Sequence, residues 1–238
     1  HRDWIEITRI RRRAVLPSIP GYQITEEIYS SANAVVYRGH RIETQQPLLF
    51  KLLKEEYPTP TALAKFQHQY EIIKNLNLAG VVKPLGLEKY RNSLVLVLED
   101  LGGQFLQTII KSQKLELVEF LKIAIQLAST LGQLHQNKIV HESIQSQNII
   151  VNLATGQVQI ADFSMASLLA KENQTISYPN LLECALAYIS PEQTGRMNRS
   201  IDYRTDFYSL GITCYELLTG ELPCKASDPM EVIHFHIA

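Results

Sequence analysis

Cysteine is scarce and scattered: Cys184, Cys214 and Cys224 are the only three among 238 residues, with no C-x-x-C pair. An odd, widely spaced set suggests neither a disulfide framework nor a zinc site, and it fits a reducing cytoplasm. An excess of either charge is missing as well. With 23 Lys and Arg against 24 Asp and Glu, the formal net charge is -1, so the chain offers no basic field to a nucleic-acid backbone or an anionic membrane. Long hydrophobic runs are absent too: Leu94 to Leu98 falls far short of a membrane span, and no signal-peptide pattern opens the chain. Neither nucleic acid nor membrane insertion is expected, and the location expected is cytoplasmic. Eleven glycines and ten prolines are too few for collagenous or low-complexity classes, and 45% hydrophobic content leaves ordinary globular packing. The one basic cluster, Arg9 with Arg11, Arg12 and Arg13, reads as a solvated N-terminal linker.

What is present changes character along the chain. From Gly21 to Leu98, short β-type runs (Tyr22 to Ile24, Val35 to Tyr37, Leu48 to Leu52, Leu94 to Leu98) surround one helix. That helix opens with Thr59 as N-cap and Pro60 at its first position, and Leu63, Phe66, Tyr70 and Ile73 recur along one face. After Gly102 and Gly103 long helices dominate. Phe120, Leu121, Ala124, Leu127, Ala128, Leu131 and Leu134 form one stripe, and Phe207, Leu210, Cys214, Leu217 and Leu218 another. Between them, Asn148 to Ile160 alternates around Thr155 and Gly156 as a hairpin does. The pattern predicts an α+β, two-lobed fold: a linker over 1–20, a β-rich lobe over 21–98, a hinge over 99–103 and a helical lobe over 104–238, with a cleft at the hinge. His1 at the start and the uncapped helix pattern of Glu231 to Ala238 suggest a piece of something longer.

Four strings then stand in order: HESIQSQN at His141 to Asn148, ADFS at Ala161 to Ser164, YISPE at Tyr188 to Glu192 and TDFYSLG at Thr205 to Gly211. With VVY at Val35 to Tyr37 and the strand lysine Lys51 upstream, this set resembles the signature of the eukaryotic-type protein kinase domain over about Gly21 to Ala238. EEIYSS, LNLAGVVKP, AYISPEQTGRMNR and DPMEVIHFHIA give it the flavour of the Ser/Thr kinase-like domain that opens large bacterial signalling proteins, which continue into NTPase, GAF and histidine kinase modules. The triplet His1, Arg2 and Asp3 is discounted, because no Asn follows five residues on. The last kinase helices are missing from the match, and with them the arginine that pairs with the Glu of the PE dipeptide. Glu192 is therefore expected to lack its usual partner.

Phosphoryl transfer asks a protein for a phosphate cradle, cations and a carboxylate that orients the incoming hydroxyl. The resemblance implies ATP and Mg2+ as cofactors, with Asn148 and Asp162 at the two metal positions, where hard oxygen ligands suit magnesium. An Asn and an Asp in hairpin turns would be the plain reading of either residue alone. It also implies that Ile28, Val36, Leu49, Lys51, Gln69, Glu99, Leu101 and Ile150 line the nucleotide site. Lys51 would reach the ATP phosphates, but Gln69 takes the place of its helix glutamate, while Glu71 points away. A charged pair near 4 Å would be worth about 4 kcal/mol at an effective dielectric near 20, an amide bond to the ammonium about 1.5 to 3 kcal/mol. The strap should hold the lysine more loosely.

The departures from the family pattern concentrate on the phosphates and the proton. Tyr29, Ser31 and Ala34 occupy the three glycine positions of the phosphate loop, which weakens a backbone cradle, and the bulk of Leu49 should narrow the adenine slot. Ser143 stands at the position of the proton-accepting Asp, Gln145 at that of the γ-phosphate Lys and Ala185 at that of the Thr that bonds both, with Cys184 before it. A serine is neutral near pH 7, and loss of general acid-base help typically costs about 10²- to 10⁴-fold. Ser164 replaces the DFG glycine and Glu142 the arginine of the catalytic loop, so a phosphorylation switch at Thr175 or Ser177 is not expected. Val36, Ile73, His141, Ile150, Phe163, Asp206 and Gly211 match positions that brace the lobes. The expectation is a pseudokinase module with weakened Mg-ATP binding that scaffolds or regulates other domains of the same protein or signalling partners. An active or weakly active Ser/Thr kinase is the alternative, and a small-molecule phosphotransferase ranks last.

Overall fold

The computed structural model describes residues 16–169, 186–196 and 199–238. The N-terminal part holds β1 (Tyr22–Ser30), β2 (Ala34–Arg41), β3 (Pro47–Leu53), β4 (Pro84–Tyr90) and β5 (Ser93–Glu99), paired antiparallel as one sheet in the order β1-β2-β3-β5-β4. β3 is central, and Leu48 to Leu52 is buried on both faces, which is why it reads as a near-continuous apolar run. Alternation sends Leu48, Phe50 and Leu52 to an outer cluster with Ile19, Tyr22 and Val35, and Leu49 to an inner one with Val36, Leu96 and Leu98. Lys51 has the parity of Leu49, so it rises from the inner face. α1 (Pro60–Ile73) packs on that face, its N-terminus closed by Thr59 Oγ1, which accepts from the Ala62 amide at 3.2 Å. Phe66, Gln69 and Ile73 are its buried residues, and Glu71 is exposed, as the spacing requires.

The remainder is mainly helical: α2 (Leu106–Ser112), α3 (Leu117–Gln136), α4 (Tyr203–Thr219) and α5 (Pro229–Ile237), with short strands β6 (Gln104–Phe105), β7 (Ile139–Val140), β8 (Ile149–Asn152), β9 (Gln157–Ile160) and β10 (Ser167–Leu168). β8 and β9 form the expected hairpin, turned at Gly156 with φ 74°. The Ile160 amide donates to the Gly80 carbonyl at 2.7 Å and Val82 donates back to Ile160 at 3.0 Å, which stitches this hairpin to the segment before β4. A Cβ on Gly80 would stand 1.9 Å from Thr130 Oγ1 of α3, so only glycine lets the segment pass there. α3 is long and apolar enough by composition to cross a membrane, and its Ile123, Leu127, Leu131 and Leu134 face the core.

α4 departs from its apolar stripe. Phe207 and Leu218 are about half exposed, and the buried face carries Thr205, Asp206, Ser209, Thr213 and Glu216 beside Leu217. Each of these polar groups holds a neighbouring segment, so burial leaves them satisfied. Asp206 accepts from the His141 and Glu142 amides at 2.9 and 2.8 Å and from His135 Nε2 at 2.8 Å. Ser209 donates to the Tyr188 carbonyl at 2.8 Å, and Glu216 accepts from the Tyr188 hydroxyl at 2.5 Å. Glu192, expected to lack its usual arginine, accepts from Thr205 Oγ1 at 2.6 Å.

Candidate functional site

Between the inner face of the sheet and the loop after β7 lies a cavity of about 630 Å³, walled among others by Tyr29, Lys51, Ser143, Gln145, Asn148 and Asp162. β3 delivers Lys51 to it, 8% exposed, with Nζ donating to Gln69 Oε1 at 2.9 Å and lying 2.8 Å from Asp162 Oδ1. The neutral strap anticipated from position 69 is thus formed, and the lysine head is not in water. Asp162 sits at φ 58°, a left-handed conformation that Asp tolerates, and its Oδ1 also accepts from the Ser164 amide at 3.3 Å. Burial pushes its carboxyl up, but the Lys51 ammonium and the Ser164 bonds outweigh that and hold it at about 2. It stays ionised. Below it, the buried rings of His141 and Phe163 meet edge to face with centroids 4.6 Å apart, and His141 Nε2 donates to the Ala161 carbonyl at 3.0 Å. The loop that carries Ser143 hangs from this brace and from Asp206.

On that loop Ser143 Oγ accepts from Gln145 Nε2 at 3.0 Å and from Asn148 Nδ2 at 3.1 Å, and Asn148 Nδ2 also reaches the Ser143 carbonyl at 2.9 Å. The structure therefore brings Ser143, Gln145, Asn148 and Asp162 to one wall. Gln145 is buried and, among the described residues, its Oε1 has no hydrogen-bond partner. Ala185 and Cys184, and with them Thr175 and Ser177, lie outside the described residues, as do His1 to Asp3 and the Arg9 to Arg13 cluster. Glu142 turns away from the cavity: its carboxylate accepts from Ser167 Oγ on β10, and its carbonyl accepts from Gln193 Nε2 at 2.9 Å. Burial pushes its carboxyl up to about 7, with the Ser167 bond pulling down and Asp206 adding to the rise.

Among the described residues no group of three or more His, Cys, Asp or Glu gathers as a metal cage. The oxygen atoms available at the wall include those of the Asp162 carboxylate and the Asn148 amide. That donor set fits a hard cation such as Mg2+, which keeps most of its waters and takes one or two carboxylates.

The roof is closed. Val36, Leu49 and Ile150 are 7%, 2% and 7% exposed and join one continuous core cluster, against which Ile28 and Tyr29 also pack. Glu99 ends β5 with its amide on the Lys83 carbonyl at 2.9 Å, and the Leu101 carbonyl accepts from Asn152 Nδ2 at 2.7 Å. Two contacts here were not anticipated from sequence. Arg38 of β2 clamps the hinge, its Nε 2.5 Å from Asp100 Oδ2 and its Nη2 2.7 Å from the Gly103 carbonyl. Tyr29 crosses the cleft, with its hydroxyl donating to Gln147 Oε1 at 2.8 Å and its ring 4.6 Å from that of Phe105. Bulk at a glycine position was the only available signal for the second, and for the first there was none.

The family model described as protein kinase domain matches residues 22–237. A probable serine/threonine-protein kinase of Clostridium acetobutylicum is 31% identical over 218 residues, covering 91% of this chain and 32% of its own. Serine/threonine-protein kinase PrkC of Bacillus subtilis is 28% identical over 218 residues, 91% of this chain and 33% of its own. Serine/threonine-protein kinase A of a Synechocystis strain is 31% identical over 220 residues, 85% of this chain and 41% of its own. The chain spans about a third to two fifths of the length of these relatives.

Proposed function

Because the chain belongs to the protein kinase domain family, we propose that it is a pseudokinase module: a bilobal scaffold, weakened toward Mg-ATP and impaired in phosphate transfer, that acts on neighbouring domains or signalling partners. One observation carries the reading. The atom beside Asn148 where an incoming hydroxyl would give up its proton is Ser143 Oγ, a neutral oxygen already accepting from two amides. A hydroxyl with pKa far above 7 is no general base, and Glu142, the nearest acid in sequence, is turned toward Ser167. Asp162 is engaged by Lys51. Protein kinases generally use ATP and Mg2+. Asn148 and Asp162 are the residues that would hold the cation here, whose chemistry is neutralisation of phosphate charge. The same module is taken to work in the cytoplasm, without nucleic acid or membrane insertion.

A second reading, an active or weakly active Ser/Thr kinase, draws on the Lys51 geometry: the lysine is seated on Gln69 and Asp162, and positioning supplies much of this reaction. Transfer from labelled ATP to a generic protein substrate separates the two. The wild type should label no more than Lys51→Met, and labelling clearly above that control replaces the first reading with the second.

A further inference from the structure

A kinase-type cleft has two ends, and in this chain they differ. The cavity end carries Lys51, Asn148, Asp162 and the first turn of α1 at Thr59. The residues expected to roof a purine, Val36, Leu49 and Ile150, are not part of its lining, and at 7%, 2% and 7% exposure they are covered by protein. An unliganded slot open to a purine would leave its walls accessible to water. What covers this one includes Tyr29. β1 places it opposite Val36 in the β1–β2 register, so both side chains leave the same face of the sheet. From there the ring reaches down to Phe105, and the hydroxyl closes on Gln147 of the catalytic loop. Phe105 in turn pairs with Ile150 across β6 and β8, which fixes the floor against which the ring lies.

We propose that Tyr29 is the specificity-determining residue of the cleft: its ring occupies the nucleoside end, so the wild-type site favours a compact phosphate chain and takes a purine nucleotide only weakly. This rests on the reading of the cleft as a kinase-type nucleotide site, and it goes further, since it attributes weak nucleotide binding to one side chain and not to the missing loop glycines. The contact is neutral and local. The phenol stays protonated, pushed up to about 12 by burial and by the Asp162 carboxylate, so the latch to Gln147 holds across the physiological range. Tyr29 also borders the phosphate end, but Lys51 and Asp162 are held there by β3 and by each other.

Calorimetric titration of the folded chain with Mg-ATP and with Mg-tripolyphosphate tests this. Tyr29→Gly should bind Mg-ATP at least about tenfold more tightly than the wild type, a change of about 1.4 kcal/mol, while tripolyphosphate affinity changes less than about twofold. Tyr29→Phe keeps the ring and loses the Gln147 bond, so it should gain far less than the glycine variant. Should Tyr29→Gly not fold, Tyr29→Ala takes its place, and the wild type already decides part of the matter: micromolar binding of Mg-ATP by the unaltered chain overturns the proposal. So does an equal gain for tripolyphosphate, or ATP binding by neither protein. These readouts are of binding. A wild type that binds ATP tightly but transfers nothing sinks the plug and spares the pseudokinase reading, whereas transfer above the Lys51→Met level sinks that reading instead.

Discussion

On the β3 and α1 wall of the cleft, Lys51 has two partners, Gln69 at 2.9 Å and Asp162 at 2.8 Å, whereas on the facing loop Gln145 leaves a buried amide oxygen with none among the described residues. The same contrast runs deeper. Asp206, which hangs the loop from α4, accepts three hydrogen bonds, while Ser143 is bonded, among the described residues, only within the loop itself. The bracing groups on α4, Asp206, Ser209 and Glu216, are engaged by other parts of this chain. On the facing loop Ser143 and Gln145 are neutral, whereas Lys51 and Asp162 keep their charges by pairing with each other. A polar network stays in a fold when removing one member would strand the rest, and the bracing network has that property.

The contrast can be broken most forcefully at the brace. Asp206→Ala should lose about 3 to 5 kcal/mol, because His135 and two amides are left buried around an absent carboxylate. Urea unfolding measures it, and a loss below about 1 kcal/mol would mean that α4 does not hold the loop. A somewhat smaller effect is expected at Glu142. Its value in the fold, about 7, stands above the 4.5 of the free side chain, so the fold favours the protonated form. Stability from this group is complete below about 4.5 and is lost as pH rises through 7, roughly 3 kcal/mol in all. Glu142→Gln should therefore match the wild type at pH 4.5 and melt higher at pH 8. Asp162 carries the opposite sign: held at about 2, it contributes above its ordinary 3.8 and loses that contribution only as pH falls through 2. The smallest effect belongs to the loop wall. Gln145→Met removes the orphaned oxygen and should be neutral or stabilising by up to about 1 kcal/mol in the same urea assay. A loss above about 2 kcal/mol would show that Gln145 is part of the brace.

The elements with strong period or capping chemistry were legible in the sequence. Thr59 and Pro60 start α1, its buried stripe places Gln69 on Lys51, and Gly156 turns the β8–β9 hairpin. β4 was not, because PLGLEKY carries a Pro, a Gly and two charges and has too little alternation to announce a strand. α4 misled for a related reason. Apolar periodicity finds faces buried against hydrocarbon, and the buried face of α4 is chosen by hydrogen bonds to Tyr188, His141 and Glu142, segments remote in sequence. In the site, residue types gave the positions of Lys51, Ser143, Gln145, Asn148 and Asp162. They could not give the Tyr29–Gln147 bond or the Arg38–Asp100 clamp, each spanning 62 or more residues.

Whether the oxygen at position 143 is what withholds transfer is read from labelled γ-phosphate moved by the wild type and by a Ser143→Asp, Gln145→Lys, Ala185→Thr triple variant, each beside its Lys51→Met control. The wild type should stay at the level of its control and the triple variant should rise above its own, with no single substitution sufficient. A wild type that transfers above its control, or one matched by the triple variant at equal rate, would show that this oxygen does not withhold transfer.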